Sequence, residues 1–454
     1  MDRVTIAGAG LVGSLLSLFL ARKGYRVEVF ERRPDMRKGR ATEGRSINLA
    51  ISERGLHALR QVGLEAEALR HAIPMRGRMM HPVKGALAFQ AYGKDDSQCI
   101  NSISRGYLNE MLMSAAETGG VELSFGHRLS GVDWESSVVR FQEEGKSTER
   151  RVGPTVLIGA DGGGSSVRQE MMKLPRHVAH QDVLSHGYKE LNIPAGPGGV
   201  FQMEKHALHI WPRGAFMLIA LPNEDGSFTC TLFLSFKGAV SFESLHCASA
   251  VQEFFEREFP DALALIPDLT AQFAINPTGS MATLKCDPWN VGGQALLVGD
   301  AAHAVVPFYG QGMNCGFEDC VALDALLPLG FERAFANFSQ TRKPQADAIA
   351  DMAVENFVEM RDKVADPRFL LEKQIEKRLL NAFPGEFLSR YTLVSFSLAP
   401  YRFAARVGEI AGEIIRELAE GATRAEDINL DRAGQLIRDR LVPYVKDNEY
   451  GFRA

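Results

Sequence analysis

The stretch that most limits how this chain can fold is residues 3–33, which read "RVTIAGAG", "LVGSLLSLFLARKG" and "YRVEVFE" in succession. The first segment is an apolar run of strand length. The second is apolar on every side, as a helix packed between layers is, and Gly24 ends it. The third alternates with the period of a strand. Strand, tight turn, helix and strand in this order make a βαβ unit with a parallel pair. Gly8-x-Gly10-x-x-Gly13 falls at the turn. Gly8 permits the bend, Gly10 lets backbone approach a pyrophosphate, and Gly13 lets the helix sit close on the strand. The helix N-terminus adds free N–H groups for the phosphates. Glu31 closes the second strand eighteen residues after Gly13, where an acid accepts both ribose hydroxyls and disfavours a 2′-phosphate. The unit predicts a dinucleotide site and does not separate NAD from FAD.

Two later stretches bear on that choice. In "GADGGGSSVR", residues 159–168, Asp161 follows an apolar strand, and Ser165 and Ser166 are placed to cap a helix near 165–171. An ordinary capped junction explains this pattern equally well. In "LLVGDAAHAVVPFYGQGMNCGFEDCVAL", residues 296–323, Asp300 ends a strand predicted over 294–299 and can accept a hydrogen bond from a sugar hydroxyl. Gly299, Ala301 and Ala302 leave room for a phosphate and ribitol chain. Gly310, Gly312, Met313 and Asn314 then lead into a helix over about 312–328, whose N-terminus favours negative charge on a reduced flavin ring. Small residues around a lone acid suit a flat tricyclic cofactor, which points to FAD.

Between these motifs, Ser52 and Ser104 are N-caps for helices over 53–62 and 105–118, and 121–153 is irregular and β-rich. Residues 186–236 give short strands with Pro/Gly turns, the signature of an antiparallel sheet. From about 312 onward the pattern is almost wholly helical. The predicted fold is α/β: a Rossmann-like FAD-binding domain with an inserted antiparallel β-sheet substrate domain and a C-terminal helical region. Its expected boundaries place FAD-binding segments at 1–75, 105–180 and 286–345, substrate-domain segments at 76–104 and 181–285, and helices at 346–454.

Composition narrows the function class. A net charge of -5 across 454 residues gives no basic footprint for nucleic acid. The first apolar run is too short for a signal peptide, and no window approaches the roughly 18 apolar residues of a membrane span. The six cysteines form no CxxC pair and read as reduced thiols in apolar surroundings. The spacings His177-x-x-His180 with Asp182 and His186, and His206-x-x-His209, do not favour a metal, since i and i+3 on a strand face opposite ways. His303 is expected to pack near the cofactor.

The three motifs, in this order and over about 1–330, resemble the class A flavin-dependent aromatic hydroxylases. Within that family "GRSINLAISERGLHALRQVGL", "MRGRMMH", "HGYKEL", "LHIWPRGAFMLIALPNEDGSFTCTLFLSF", "VPFYGQGMNCGFEDC" and "ENFVEMRDKV" look like the members that hydroxylate L-kynurenine at its 3-position. The resemblance implies NADPH and O2 as co-substrates, non-covalent FAD and a flavin C4a-hydroperoxide that attacks the ring ortho to the aniline amine. No protein nucleophile or metal is then required. It also implies FAD contacts at Leu11, Glu31, Arg32, Arg33, Ala50, Arg105, Leu129, Ser166, Asp300, Met313 and Asn314, beside Gly8, Gly10, Gly13, Asp161 and Gly312. On the substrate side it assigns the carboxylate to Arg78, with Tyr92 beside it and Asn356 and Tyr401 closing the amino-acid end. Arg76 remains an alternative partner, and Tyr401 could equally be core. Asn48 crosses the flavin face, Leu221 and Phe233 roof the pocket, and Phe308 and Tyr309 line its flavin side. Glu359 and Met360 complete the set. Family members with a C-terminal membrane anchor differ from this chain, so a soluble, bacterial-type cytoplasmic protein is expected, monomer or homodimer. The open alternatives are a hydroxylase of another aromatic substrate, a non-hydroxylating FAD redox sensor, and an NAD-dependent dehydrogenase, which the late Asp300 motif disfavours.

Overall fold

The computed structural model describes residues 2–39, 48–93, 98–359 and 366–448. Arg3–Ala7, Leu11–Arg22 and Arg26–Glu31 form the expected strand, helix and strand. The strands are parallel, in register from Arg3↔Arg26 to Ala7↔Phe30. The helix is apolar all round because it is covered all round. Leu15, Leu16, Phe19 and Leu20 are buried between the sheet and the helices Arg105–Thr118 and Gly312–Leu326.

This unit sits in a six-stranded sheet. Its strand order is Asn290–Val291, Ala295–Leu297, Val156–Gly159, Arg3–Ala7, Arg26–Glu31 and Glu122–Phe125. All pairs are parallel except the edge pair of Asn290–Val291 with Ala295–Leu297. Register sets which strand ends meet. Ala7 pairs with Gly159 and Gly159 with Leu297, so three strands from distant parts of the sequence end side by side. Their next residues carry Gly8, Asp161 and Asp300, at the carboxyl edge where α/β sheets bind ligands.

The inserted sheet is larger than 186–236. It has seven strands: Gly279–Asp287, Val178–Ile193, Phe228–Ser235, Met217–Pro222, Ala207–Pro212, Gly77–Met80 and Ala88–Ala91. "GYKEL" belongs to the 16-residue strand Val178–Ile193, whose exposed first half alternates too weakly to be read as a strand. The sheet is also not purely antiparallel, since Ala207–Pro212 runs parallel to Gly77–Met80. One face is sealed by Ala248–Glu258 and Leu269–Ile275, with Phe254, Phe255, Phe259 and Trp211 in that core. The other face, with Leu208, Ile219, Leu221 and Phe233, looks into a cavity.

Ser104 caps Arg105–Thr118 through its hydroxyl, and Ser165 rather than Ser166 caps Ser166–Met171. Ser52 occupies the cap position of Glu53–Gln61 without a side-chain bond; its backbone N–H donates to Asn314 Oδ1 at 3.0 Å instead. The C-terminal region packs Phe331–Val358, Pro367–Ala382, Arg390–Phe396 and Tyr401–Leu418 against the first core. Among the described residues no helix is long and apolar enough to cross a membrane.

Candidate active site

One cavity of about 2650 Å³ runs from the glycine turn, under the seven-stranded sheet, to the C-terminal helices. A single ligand site is usually several hundred Å³, so this one has room for a cofactor and a substrate end to end.

The cofactor half is built from the strand ends. Gly8 has φ +103°, and a Cβ there would lie 2.5 Å from the Ala160 carbonyl oxygen. A Cβ on Gly13 would lie 2.0 Å from the Gly8 carbonyl oxygen, while one on Gly10 meets nothing within 4 Å. Gly8 and Gly13 therefore serve the protein's own packing, and Gly10 keeps open the space in front of a helix N-terminus. That helix, Leu11–Arg22, has neither a side-chain cap nor an acid in its first turn, and the same holds for Gly312–Leu326. Both helix starts line the cavity, through Leu11 and Val12 and through Gly312 and Met313. Uncapped N-termini with a Cβ-free cradle fit a flat cofactor that carries a diphosphate.

The other cofactor residues divide in two. Glu31, Arg32, Arg33, Ala50, Arg105, Leu129, Asp161, Ser166 and Asp300 all line the cavity. Asn314 does not. Its side chain is buried, accepting from Ser52 N and donating to the carbonyls of Ala50 (2.9 Å) and Gly310 (2.9 Å), so it clamps the strand Asn48–Ile51 to the helix. Gly13 is likewise behind the lining. Glu31 keeps its place but is partly engaged, accepting from Ala9 N at 3.0 Å and Arg33 N at 2.9 Å. Asp161 chiefly organises its own turn: its carboxylate accepts from Ser165 Oγ (2.5 Å), Ser166 N (2.6 Å) and Val167 N (3.3 Å), although burial pushes its carboxyl up. Arg168 has a role that no sequence signal marks. It is buried and donates to the carbonyls of Ala301 (2.8 Å) and Gly163 (2.5 Å), binding the Asp161 turn to the Asp300 turn. Asp300 opens a one-turn helix, Asp300–His303, and is exposed into the groove.

The substrate half centres on Arg78. Its guanidinium carbon lies 4.6 Å from the Tyr391 ring centroid and 5.7 Å from that of Tyr92, and those rings stack on each other at 5.6 Å. Phe396 packs against both tyrosines. Among the described residues, Arg78 Nε and Tyr92 Oη are buried atoms without a hydrogen-bond partner. Burial works against the Arg78 charge, but the Tyr391 and Tyr92 phenols outweigh it and hold the arginine above its ordinary range. Among the described residues no carboxylate pairs with Arg78.

Tyr391, not Tyr401, completes this cage. Tyr401 is fully buried outside the cavity, donating from Oη to Gln311 Oε1 at 3.0 Å with Arg54 4.0 Å over its ring. The core alternative is the one the fold adopts. "RYTLVSF", which carries Tyr391, has no motif to mark it. Asn356 lines the cavity and donates to the Phe308 carbonyl at 2.7 Å. Asn48 lines it too, donating to Pro222 O at 2.8 Å and Ser102 Oγ at 3.1 Å, while its Oδ1 has no partner among the described residues. Leu221, Phe233, Phe308 and Tyr309 form apolar wall, with Phe308 5.0 Å from Phe233. Glu359 stands on the rim 4.0 Å from Arg390, which also pairs with Glu355 at 2.6 Å. Met360 lies outside the described residues.

The histidine spacings do not assemble. His180 pairs with Asp182 at 2.7 Å, His186 bonds the Ala215 carbonyl, and His206 bonds the Pro74 carbonyl. His209 joins His81 at 2.9 Å, and burial pushes it down to about 4. His303 is buried behind the cavity lining, 2.6 Å from Asp319 and stacked on Trp289. Asp319 Oδ2 also accepts from Gly299 N at 3.0 Å, and Arg342 Nε donates to its other oxygen at 2.9 Å. Cys315 closes this group, but Arg342 already supplies the cation there. The cysteines are all free thiols; Cys247 is exposed, contrary to the apolar setting expected for it.

This groove and fold define an FAD-binding monooxygenase of the class A hydroxylase type. The model of the family described as "FAD binding domain" matches residues 2–353. A kynurenine 3-monooxygenase of Myxococcus xanthus (strain DK1622) is 62% identical over 456 residues, covering 100% of this chain and 98% of that protein. Another, of Stenotrophomonas maltophilia (strain K279a), is 46% identical over 430 residues, with 94% of each chain covered. The tetrameric form of 2-methyl-3-hydroxypyridine-5-carboxylic acid oxygenase shares the fold at a TM-score of 0.66 and 19% identity, over 81% of this chain and 94% of that one. The chain belongs to the kynurenine 3-monooxygenase family of FAD-dependent enzymes.

Proposed function

We propose that this protein converts L-kynurenine, NADPH, O2 and a proton to 3-hydroxy-L-kynurenine, NADP⁺ and water, on non-covalently held FAD. The carrying observation is Arg78: a half-buried guanidinium that has no carboxylate partner among the described residues, caged by Tyr92 and Tyr391 in the same cavity as the cofactor groove. Its planar fork suits the carboxylate of an amino acid in a way that a lysine would not. The names of the relatives favour kynurenine among such acids.

FAD, when bound, supplies the oxygen-activating redox chemistry. The chain supplies the rest. Arg78, with the Tyr92 and Tyr391 hydroxyls, anchors the amino-acid end and so directs the aniline ring toward the cofactor half. Asn356 holds the Phe308 carbonyl, which fixes the Pro307–Tyr309 turn between the two halves. Leu221, Phe233 and Phe308 exclude water from the ring's slot, the condition for oxygen transfer to compete with wasteful release of H2O2. The uncapped start of Gly312–Leu326 favours negative charge on the reduced cofactor. Arg390 offsets one of the two rim carboxylates, Glu355 and Glu359.

The test is direct: purify the protein, record the flavin spectrum, and follow NADPH consumption with and without L-kynurenine while assaying 3-hydroxy-L-kynurenine. Oxidation stimulated by L-kynurenine with matching product supports the proposal. Stimulation by a different aromatic acid, or oxidation that yields only H2O2, overturns it.

A further inference from the structure

Arg54 lies on Glu53–Gln61, behind both halves of the cavity and outside its lining. Its side chain is 0% exposed, yet it meets three separate parts of the chain. Nη1 donates to Glu318 Oε1 at 2.6 Å, on the helix whose start lines the cofactor groove. Nε donates to the Val394 carbonyl at 3.3 Å, and Nη2 donates to the Ala399 carbonyl. Val394 belongs to the last turn of Arg390–Phe396, the helix that carries Tyr391. The ring of Tyr401 lies under the guanidinium at 4.0 Å and bonds Gln311, the residue before Gly312–Leu326. Glu318 is shared with Arg342 at 3.0 Å, which in turn holds Asp319.

We propose that Arg54 is a positioning residue that sets the Tyr391 wall of the substrate site against the cofactor helix. The carbonyls at the end of a helix have no partner within it, and a cation there satisfies them and complements the helix dipole. Arg54 does this for Arg390–Phe396 while its other nitrogen is fixed to Gly312–Leu326 through Glu318. One planar group thereby spaces the Tyr391 ring, which closes the Arg78 cage, from the helix start at Gly312 that lines the cofactor groove. A lysine keeps the charge beside Glu318 but cannot reach three acceptors along divergent directions.

The inference rests on the L-kynurenine reading above. Its test is a double-mutant cycle on the FAD-loaded enzyme with Arg54→Lys, Tyr391→Ala and the pair. It reads KM for L-kynurenine, kcat, and the FAD dissociation constant of the apoprotein by flavin fluorescence. Arg54→Lys is expected to raise KM roughly tenfold or more while the FAD constant moves less than about threefold. In the Tyr391→Ala background the same change is expected to add less than about twofold to KM, because the wall it sets is already gone. Additive effects on KM, an FAD constant that rises as far as KM, or outright loss of FAD would each overturn the role assigned to Arg54. Wild-type protein inert toward L-kynurenine would overturn the functional reading and this inference with it. Wild-type turnover with an additive cycle would overturn this inference alone.

Discussion

Replacing Arg78 by methionine separates what the residue does for the substrate from what it does for the fold. Arg78 makes no ion pair among the described residues; its neighbours are the Tyr391 ring at 4.6 Å and the Tyr92 ring at 5.7 Å. A hydrogen bond to a charged group contributes about 1.5–3 kcal/mol. A bidentate pair to a substrate carboxylate is then worth about 3–4 kcal/mol after overlap between its two bonds, or a 10²–10³-fold rise in KM at about 1.4 kcal/mol per decade. For the empty fold the signs nearly cancel. The cation–π contacts forgone are worth about 0.5–2 kcal/mol, and relief from holding an unpaired guanidinium away from water is of similar size. Methionine is long and flexible enough to keep the ring contacts. The expected result is therefore a KM for L-kynurenine raised by two to three decades, with FAD retained and Tm within a few degrees of wild type. Steady-state NADPH oxidation with product detection and a flavin-fluorescence melt read both. An unchanged KM would refute the carboxylate assignment. A melt lowered as far as breaking a buried ion pair would lower it, about 3–5 kcal/mol, would show that Arg78 is a structural residue.

The other predictions contrast neighbours. Gly10→Ala meets no protein atom within 4 Å, so it is expected to leave the apoprotein's melting unchanged and weaken FAD binding, whereas Gly13→Ala, 2.0 Å from the Gly8 carbonyl, should lower the apoprotein's Tm itself; the reverse pattern in calorimetry would count against the cradle. Tyr401→Phe should cost about 1 kcal/mol of stability through the lost Gln311 bond, measured by denaturant melts, whereas Tyr391→Ala should act on KM. At the His303–Asp319 pair burial opposes both charges, but Asp319 and Cys315 outweigh it at the imidazole, holding it well above its ordinary 6.5, and His303 and Arg342 outweigh it at the carboxyl, holding it below its ordinary 3.8. The imidazole's contribution to stability is thus complete below pH 6.5 and lost as pH rises through its elevated folded value, while the carboxylate's is lost as pH falls below 3.8. His303→Gln should flatten the alkaline side of the Tm–pH curve, and an unaltered slope would refute the pairing.

Much of this protein is written locally. The βαβ unit, the glycine roles, the Ser104 cap, the C-terminal helices and the three cofactor-facing segments follow from periodicity and turn chemistry, which act over a few residues and so leave a trace in short stretches. Arg78 was visible only through its resemblance to known relatives. Register in the parallel sheet was not visible: that Ala7, Gly159 and Leu297 end together depends on pairing across about 300 residues. Nor was the fate of polar side chains. Tyr391 and Tyr401 are both tyrosines in helical, apolar surroundings, and only packing turns one into the Arg78 cage and the other beneath Arg54. Asn314, Arg168, Asp319 and Arg54 are likewise assigned by tertiary structure, because a buried polar group must find a partner wherever the chain brings one. Local chemistry states which residues can serve a site; the long-range pairing of strands and buried charges chooses among them.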